Sequence, residues 1–158
     1  MADQLWLLRH GDAEPHGTRE DFDRRLSARG EAQSRNAGIA LQALGVSFTA
    51  VITSPRVRAR DTALLACEAL GNEPVVHEPL GGGFGGAGAR DLVGPEHGDR
   101  VLIVGHEPDF SSIVHEITGA RIDMKKGGVA GIRLGPAPEL IALLRPRELA
   151  AMAGEPKP

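Results

Sequence analysis

Three short stretches of this 158-residue chain carry groups able to grip and attack an anion. The first is Arg9-His10-Gly11, directly behind the apolar run Leu5-Trp6-Leu7-Leu8. Arginine presents paired N–H donors that match a phosphate or a carboxylate. Imidazole can attack an electrophile or carry protons near neutral pH. Glycine lets the chain turn and lets a ligand come close to the backbone. The second stretch is Ser54-Pro55 followed by Arg56, Arg58 and Arg60, and the third is Gly105-His106 after Val101-Leu102-Ile103-Val104. A phosphoryl group suits such a set. Its negative oxygens repel nucleophiles until cations neutralise them, after which a neutral imidazole can attack phosphorus and a second histidine can bind a further oxygen.

These groups lie far apart in the sequence, so the elements around them must bring them together. Residues 4–8 read as a strand apolar on both faces, as in the middle of a parallel sheet. Residues 12–26 are polar and loop-like. Ser27 is a cap for a helix running to Leu44, with Gly45 as its stop. Residues 50–53 form a short strand, and Ser54-Pro55 reads as the opening of a helix to about Leu70, with Gly71 behind it. Residues 74–77 are a further strand candidate, and 100–105 is the cleanest buried strand. A helix spans 109–118, and residues 129–134 and 140–145 read as a terminal strand pair, the former a candidate sheet edge. Residues 81–88, Gly-Gly-Gly-Phe-Gly-Gly-Ala-Gly, read as a flexible loop, either a flap or a tolerated surface insertion.

Alternating strands and helices imply an α/β fold: one three-layer domain with a mostly parallel open sheet and helices on both faces. The domain is expected over residues 1–152, with 153–158 as a frayed tail. In such a sheet the C-terminal strand ends share one edge, where helix N-termini also point their free N–H groups. His10, the arginines after residue 54 and His106 can therefore converge.

Composition narrows the function. The net charge of −3 gives no global pull toward nucleic acid or anionic membrane. With 3% aromatic residues and no tyrosine, a stacking platform for single strands is not expected. No run is long and apolar enough to span a bilayer, and no signal peptide is evident. The single cysteine, Cys67, reads as a small buried residue and agrees with a reducing cytoplasm. His16, His77, His97 and His115 lack metal-ligand spacing, and a metal beside Glu107 would meet the repulsion of the arginines. Neither a metal nor a cofactor is expected.

The stretches Leu-Leu-Arg-His-Gly-Asp-Ala-Glu (7–14), Arg-Arg-Leu-Ser-Ala-Arg-Gly (24–30), Thr-Ser-Pro-Arg-Val-Arg-Ala-Arg-Asp-Thr-Ala (53–63) and Val-Gly-His-Glu-Pro (104–108) occur in this order. Together they resemble the histidine phosphatase superfamily, and within it the compact SixA-type phosphohistidine phosphatases. The resemblance implies that His10 is the phosphorylated nucleophile, that Arg9 and Arg58 bind phosphate, that His106 is the second pocket histidine and that Arg24 is the arginine added in SixA-like members. Arg56 and Arg60 match no functional position. Larger members carry a glutamate general acid in a longer insertion; here that region is short, and Glu78 is the candidate. The activity implied is metal-independent removal of phosphate from phosphohistidine on a protein. The alternatives are hydrolysis of small phosphate esters or anhydrides, and a non-catalytic phosphate-binding module.

Overall fold

The computed structural model describes residues 3–154. Six strands, β1 (Gln4–Arg9), β2 (Ala50–Thr53), β3 (Val75–Val76), β4 (Arg100–Gly105), β5 (Val129–Arg133) and β6 (Glu139–Leu144), form one sheet in the order β3-β2-β4-β1-β5-β6. The first four are mutually parallel; β5 runs antiparallel to β1, and β6 antiparallel to β5. Five helices, α1 (Ala28–Ala43), α2 (Val57–Leu70), α3 (Gly86–Asp91), α4 (Asp109–Thr118) and α5 (Pro146–Met152), complete a single α/β domain. No helix among the described residues is long and apolar enough to cross a membrane.

The central strands are apolar throughout because both of their faces are covered. Leu5 and Leu7 of β1, with Val101 and Ile103 of β4, pack against Phe110, Ile113 and Val114 of α4. Trp6, Leu8, Leu102 and Val104 point the other way, against Ala37, Ala40 and Leu41 of α1, Ala59 and Ala63 of α2, and Leu149 of α5. Strand alternation thus sends every second side chain to a different core. Burying each large aliphatic side chain contributes about 1.5–3 kcal/mol.

Four local expectations need correction. The helix after β2 starts at Val57, not at Ser54-Pro55: Arg56 keeps an extended backbone (φ −64°, ψ 138°), and the Ser54 hydroxyl is committed elsewhere. The glycine-rich stretch is a loop only at residues 82–85: a 3-10 turn covers Glu78–Gly81 before it and α3 begins at Gly86 behind it. Buried Leu80, Phe84 and Ala89 anchor it to the core, and Glu116 of α4 accepts the Gly86 N–H at 2.7 Å. The residue 129–133 strand is no sheet edge, because β6 covers it. Finally, α5 follows the last strand, its start marked by Pro146 and by Glu148 accepting the Arg145 N–H at 2.8 Å. Of the tail expected at 153–158, Ala153 ends α5 and residues 155–158 lie outside the described residues.

Candidate active site

β1 delivers His10 to the C-terminal edge of the sheet. Arg9 pairs with Gly105 of β4, and the His10 N–H donates to the Gly105 carbonyl at 3.0 Å. The loop behind His10 is held by close backbone packing. A Cβ on Gly11 would sit 2.6 Å from the Gly30 carbonyl oxygen, and one on Gly30 would sit 1.9 Å from that of Asp12. Thr62 of α2 accepts the Gly11 N–H at 3.1 Å. Ser27 caps α1 by accepting the Gly30 N–H and donates to the Asp12 carboxylate at 2.7 Å.

This geometry assigns the His10 proton. Nδ1 lies 2.7 Å from the Gly11 carbonyl oxygen, which can only accept. Nδ1 therefore carries the hydrogen, and Nε2 keeps its lone pair. The ring is only 6% exposed. Burial lowers its pKa from 6.5 to about 3; the Gly11 carbonyl opposes this, while His106, Arg58 and Arg9 reinforce it. His10 is thus a neutral imidazole with a free nucleophilic nitrogen.

His106 stands beside it at the end of β4, with ring centroids 5.2 Å apart. Its Nε2 lies 2.7 Å from the Ser54 hydroxyl, at the end of β2. Ser54 Oγ already accepts the Arg56 N–H at 3.1 Å, and His106 Nε2 is the acceptor in reach of its hydroxyl hydrogen among the described residues. The proton count therefore puts the His106 ring hydrogen on Nδ1, which is buried and has no partner among the described residues. Burial first, then Arg58 and Arg56, lower the His106 pKa to about 4. It too is neutral, with one unspent donor. Ser54, read from sequence only as a helix opener, orients this ring.

Three arginines surround the pair. Arg9 donates through Nη1 to the Met124 carbonyl at 2.8 Å, and its buried Nε has no partner among the described residues. Arg58, in the first turn of α2, donates through Nη1 to the Asp21 carbonyl at 2.7 Å, while its Nη2 lies 3.3 Å from the Asp21 carboxylate. Arg24 reaches the same carboxylate through Nε and Nη2, each at 3.0 Å, and the Glu14 carbonyl through Nη1 at 2.8 Å. Arg24 and Arg58 are both buried, unlike the solvated arginines common in such positions. Burial lowers the Arg58 pKa, against the pull of Asp21. Burial disfavours the charge on Asp21, yet Arg58 and Arg24 outweigh it and hold the carboxyl below its ordinary range. Asp21 thus positions two guanidiniums, and Arg56 joins it at 2.8 Å. Residues 12–26 gave no signal for this role, which depends on the loop folding back over α2.

Arg9, His10, Arg24, Arg58 and His106 all line one cavity of about 380 Å³. The structure thus brings together five of the six residues expected from sequence. Glu78 is the sixth; it is exposed in the 3-10 turn and does not line this cavity. The carboxylates that do are Glu14, Asp21 and Glu107. Arg60 is exposed and Cys67 is buried in the core, where burial pushes its thiol up to about 11. Chemically, the cavity offers a neutral nitrogen nucleophile and a cluster of cations, a set matched to a tetrahedral oxyanion.

Comparison with known proteins agrees. The model of the histidine phosphatase superfamily, branch 1, matches residues 5–81, which include Arg9, His10, Arg24 and Arg58. An uncharacterized protein of Picosynechococcus sp. (strain ATCC 27264 / PCC 7002 / PR-6) is 35% identical over 145 residues, covering 85% of this chain and 87% of its own length. The protein histidine phosphatase SixA complexed with tungstate shares the fold, with a TM-score of 0.76 at 24% identity over 90% of this chain and 97% of that one. The α-ribazole phosphatase of Shigella flexneri shares it with a TM-score of 0.69 at 21% identity, over 90% and 96% of the two chains. With the motif order, the site and these matches in agreement, the chain belongs to the histidine phosphatase superfamily.

Proposed function

We propose that this phosphatase removes phosphate from phosphohistidine on a protein, through a covalent intermediate at His10. The observation that carries the reading is the free Nε2 of a neutral His10 in an arginine-lined cavity. Nε2 attacks phosphorus while the phosphorus–nitrogen bond of the substrate breaks. Arg9, Arg24 and Arg58 balance the equatorial oxygens, and His106 closes the pocket beside them. The leaving imidazole, protonated on its distal nitrogen, departs neutral. Water then attacks phosphorus, returns His10 to its starting state and releases orthophosphate.

The carboxylates in the cavity support this choice of leaving group. An alkoxide needs a proton from an acid whose pKa is raised toward neutrality. Here Asp21 is held ionised by arginines. Glu14 is lowered by its hydrogen bond from Arg19 and by the Arg25 N–H. Both Glu107 oxygens accept from Ser111. A departing imidazole needs no such acid. Small phosphate esters form the second reading, favoured by the shared fold of an α-ribazole phosphatase.

Incubation with a radiolabelled phosphodonor should place acid-labile, base-stable phosphate on His10, and His10→Ala should abolish both label and turnover. Phosphate on another residue, or none, would sink the covalent mechanism. Turnover of sugar phosphates well above that of phosphohistidine peptides would favour the second reading.

A further inference from the structure

Next to the nucleophile's cavity lies another, of about 400 Å³, between the start of α1 and the turn that leads into β5. Four cations line it, Arg9, Arg29, Lys125 and Lys126, against one carboxylate, Asp12. The whole chain carries a net charge of −3, so this positive concentration is a local feature. Arg9 and Lys126 line both cavities, which makes the two neighbours across a shared wall of charge.

The cations are incompletely neutralised. Asp12 accepts from the Ser27 hydroxyl at 2.7 Å and stands 3.9 Å from Lys126 Nζ. Lys125 pairs with exposed Asp123 at 2.8 Å. Arg29 has no ion pair among the described residues. Gln33 accepts the Asp12 N–H through its side-chain carbonyl, which leaves its amide hydrogens as further donors. The lining contains no aromatic ring and a single apolar residue, Pro146. Nothing there would stack on a base; the four cations outnumber the single Asp12 carboxylate, so the balance of charge favours an oxyanion.

We infer that this cavity is a second anion subsite, which holds an oxyanion tethered to the transferring phosphoryl group. On a phosphoprotein that group is a carboxylate near the phosphohistidine; on a small substrate it is the next phosphate of an inorganic polyphosphate. The inference rests on the reading that the first cavity takes the phosphoryl group. It explains why Lys126 faces both spaces: one cation bridges the two anions of one substrate.

Two arms separate the sources. Calorimetric titration of the His10→Ala chain, which lacks the nucleophile, compares orthophosphate with tripolyphosphate. Tripolyphosphate should bind about tenfold more tightly at low salt, and Arg29→Gln/Lys125→Gln should remove most of that advantage. In the second arm, two phosphohistidine peptides differ by one Glu or Gln two residues from the phosphohistidine. The ratio of their kcat/KM values should favour the Glu peptide and fall toward unity in the same double variant and at high ionic strength. A tripolyphosphate advantage with no peptide preference assigns the subsite to phosphate; a peptide preference assigns it to a protein carboxylate. Identical ratios in both arms for the parent and the double variant would overturn the subsite. Absence of all turnover would overturn the phosphatase mechanism instead, since the binding arm reads the subsite without it. If the double variant does not fold, each single substitution should give a smaller loss in the same direction.

Discussion

His10 and His106 are buried and neutral, and this couples folding to pH in a definite direction. In the unfolded chain each ring titrates near 6.5; in the folded chain the values are about 3 and about 4. Between these limits the unfolded chain binds protons that the folded chain refuses. Stability therefore rises with pH through this window, is complete above 6.5, and is lost as pH falls. Each ring contributes up to ~1.4 kcal/mol per pH unit. At pH 5 the two together have removed ~4 kcal/mol, a large part of the 5–15 kcal/mol typical of a domain. For a chain of this size that loss corresponds to a fall in Tm of about 10 °C between pH 7 and pH 5.

Asp21 acts at lower pH, because its depressed pKa makes stability disappear only as pH falls below the ordinary carboxylate value of 3.8. Thermal melts followed by circular dichroism between pH 5.5 and pH 7, above the range in which Glu14 and Glu148 also contribute, therefore isolate the histidines. His10→Gln/His106→Gln should flatten the Tm–pH curve whatever it does to Tm itself, and each single variant should remove about half of the slope. Parallel curves for the parent and the double variant would refute the assignment of both rings as buried and neutral.

Three further outcomes follow from the site. Ser54→Ala strips the partner from the buried His106 Nε2 and the half-buried Arg56 N–H; stability should drop by ~1–3 kcal/mol, kcat by about tenfold, and ring-nitrogen NMR shifts should show a mixed His106 tautomer. Gly30→Ala forces a Cβ against the Asp12 carbonyl at 1.9 Å; despite alanine's better helix propensity, urea unfolding should show a loss of ~1–3 kcal/mol. Asp21→Asn keeps the side-chain shape and removes its charge from Arg24, Arg56 and Arg58; product inhibition by orthophosphate should tighten about threefold, the effect of one partly exposed pair, and an unchanged inhibition constant would show that this carboxylate does not oppose the anion.

What was legible in the sequence is what local chemistry determines. Unbroken apolar runs ending in Arg9-His10 and Gly105-His106 can only be buried strands with polar tips, and Ser27 and Gly71 act as caps where they stand. The less legible features depend on distant partners. A glycine-rich composition disfavours a helix at α3, yet burial of Ala89 and the bond from Gly86 to Glu116 hold one there. Asp21 looks like any loop carboxylate until residues 12–26 fold over α2. Ser54 fits a helix cap by type, and only the neighbouring strand β4 reveals that its hydroxyl faces His106. Glu78 shows the converse. Its position in the chain suggested an acid, but the turn at 78–81 leaves it exposed and away from the cavity lining.

The Gly11 carbonyl links packing to chemistry. When Nε2 of His10 bonds to phosphorus the ring becomes cationic, and burial opposes that charge as it opposes protonation. The Nδ1–H bond to the Gly11 carbonyl is the one contribution that favours a cationic ring here. Its orientation depends on the backbone at Gly11, which Thr62 of α2 holds from one side and the closely packed Gly30 of α1 from another. A side chain at either glycine would push the carbonyl away from Nδ1. The contact between the two glycine backbones therefore determines how readily His10 accepts a phosphoryl group, even though neither glycine supplies a reacting atom.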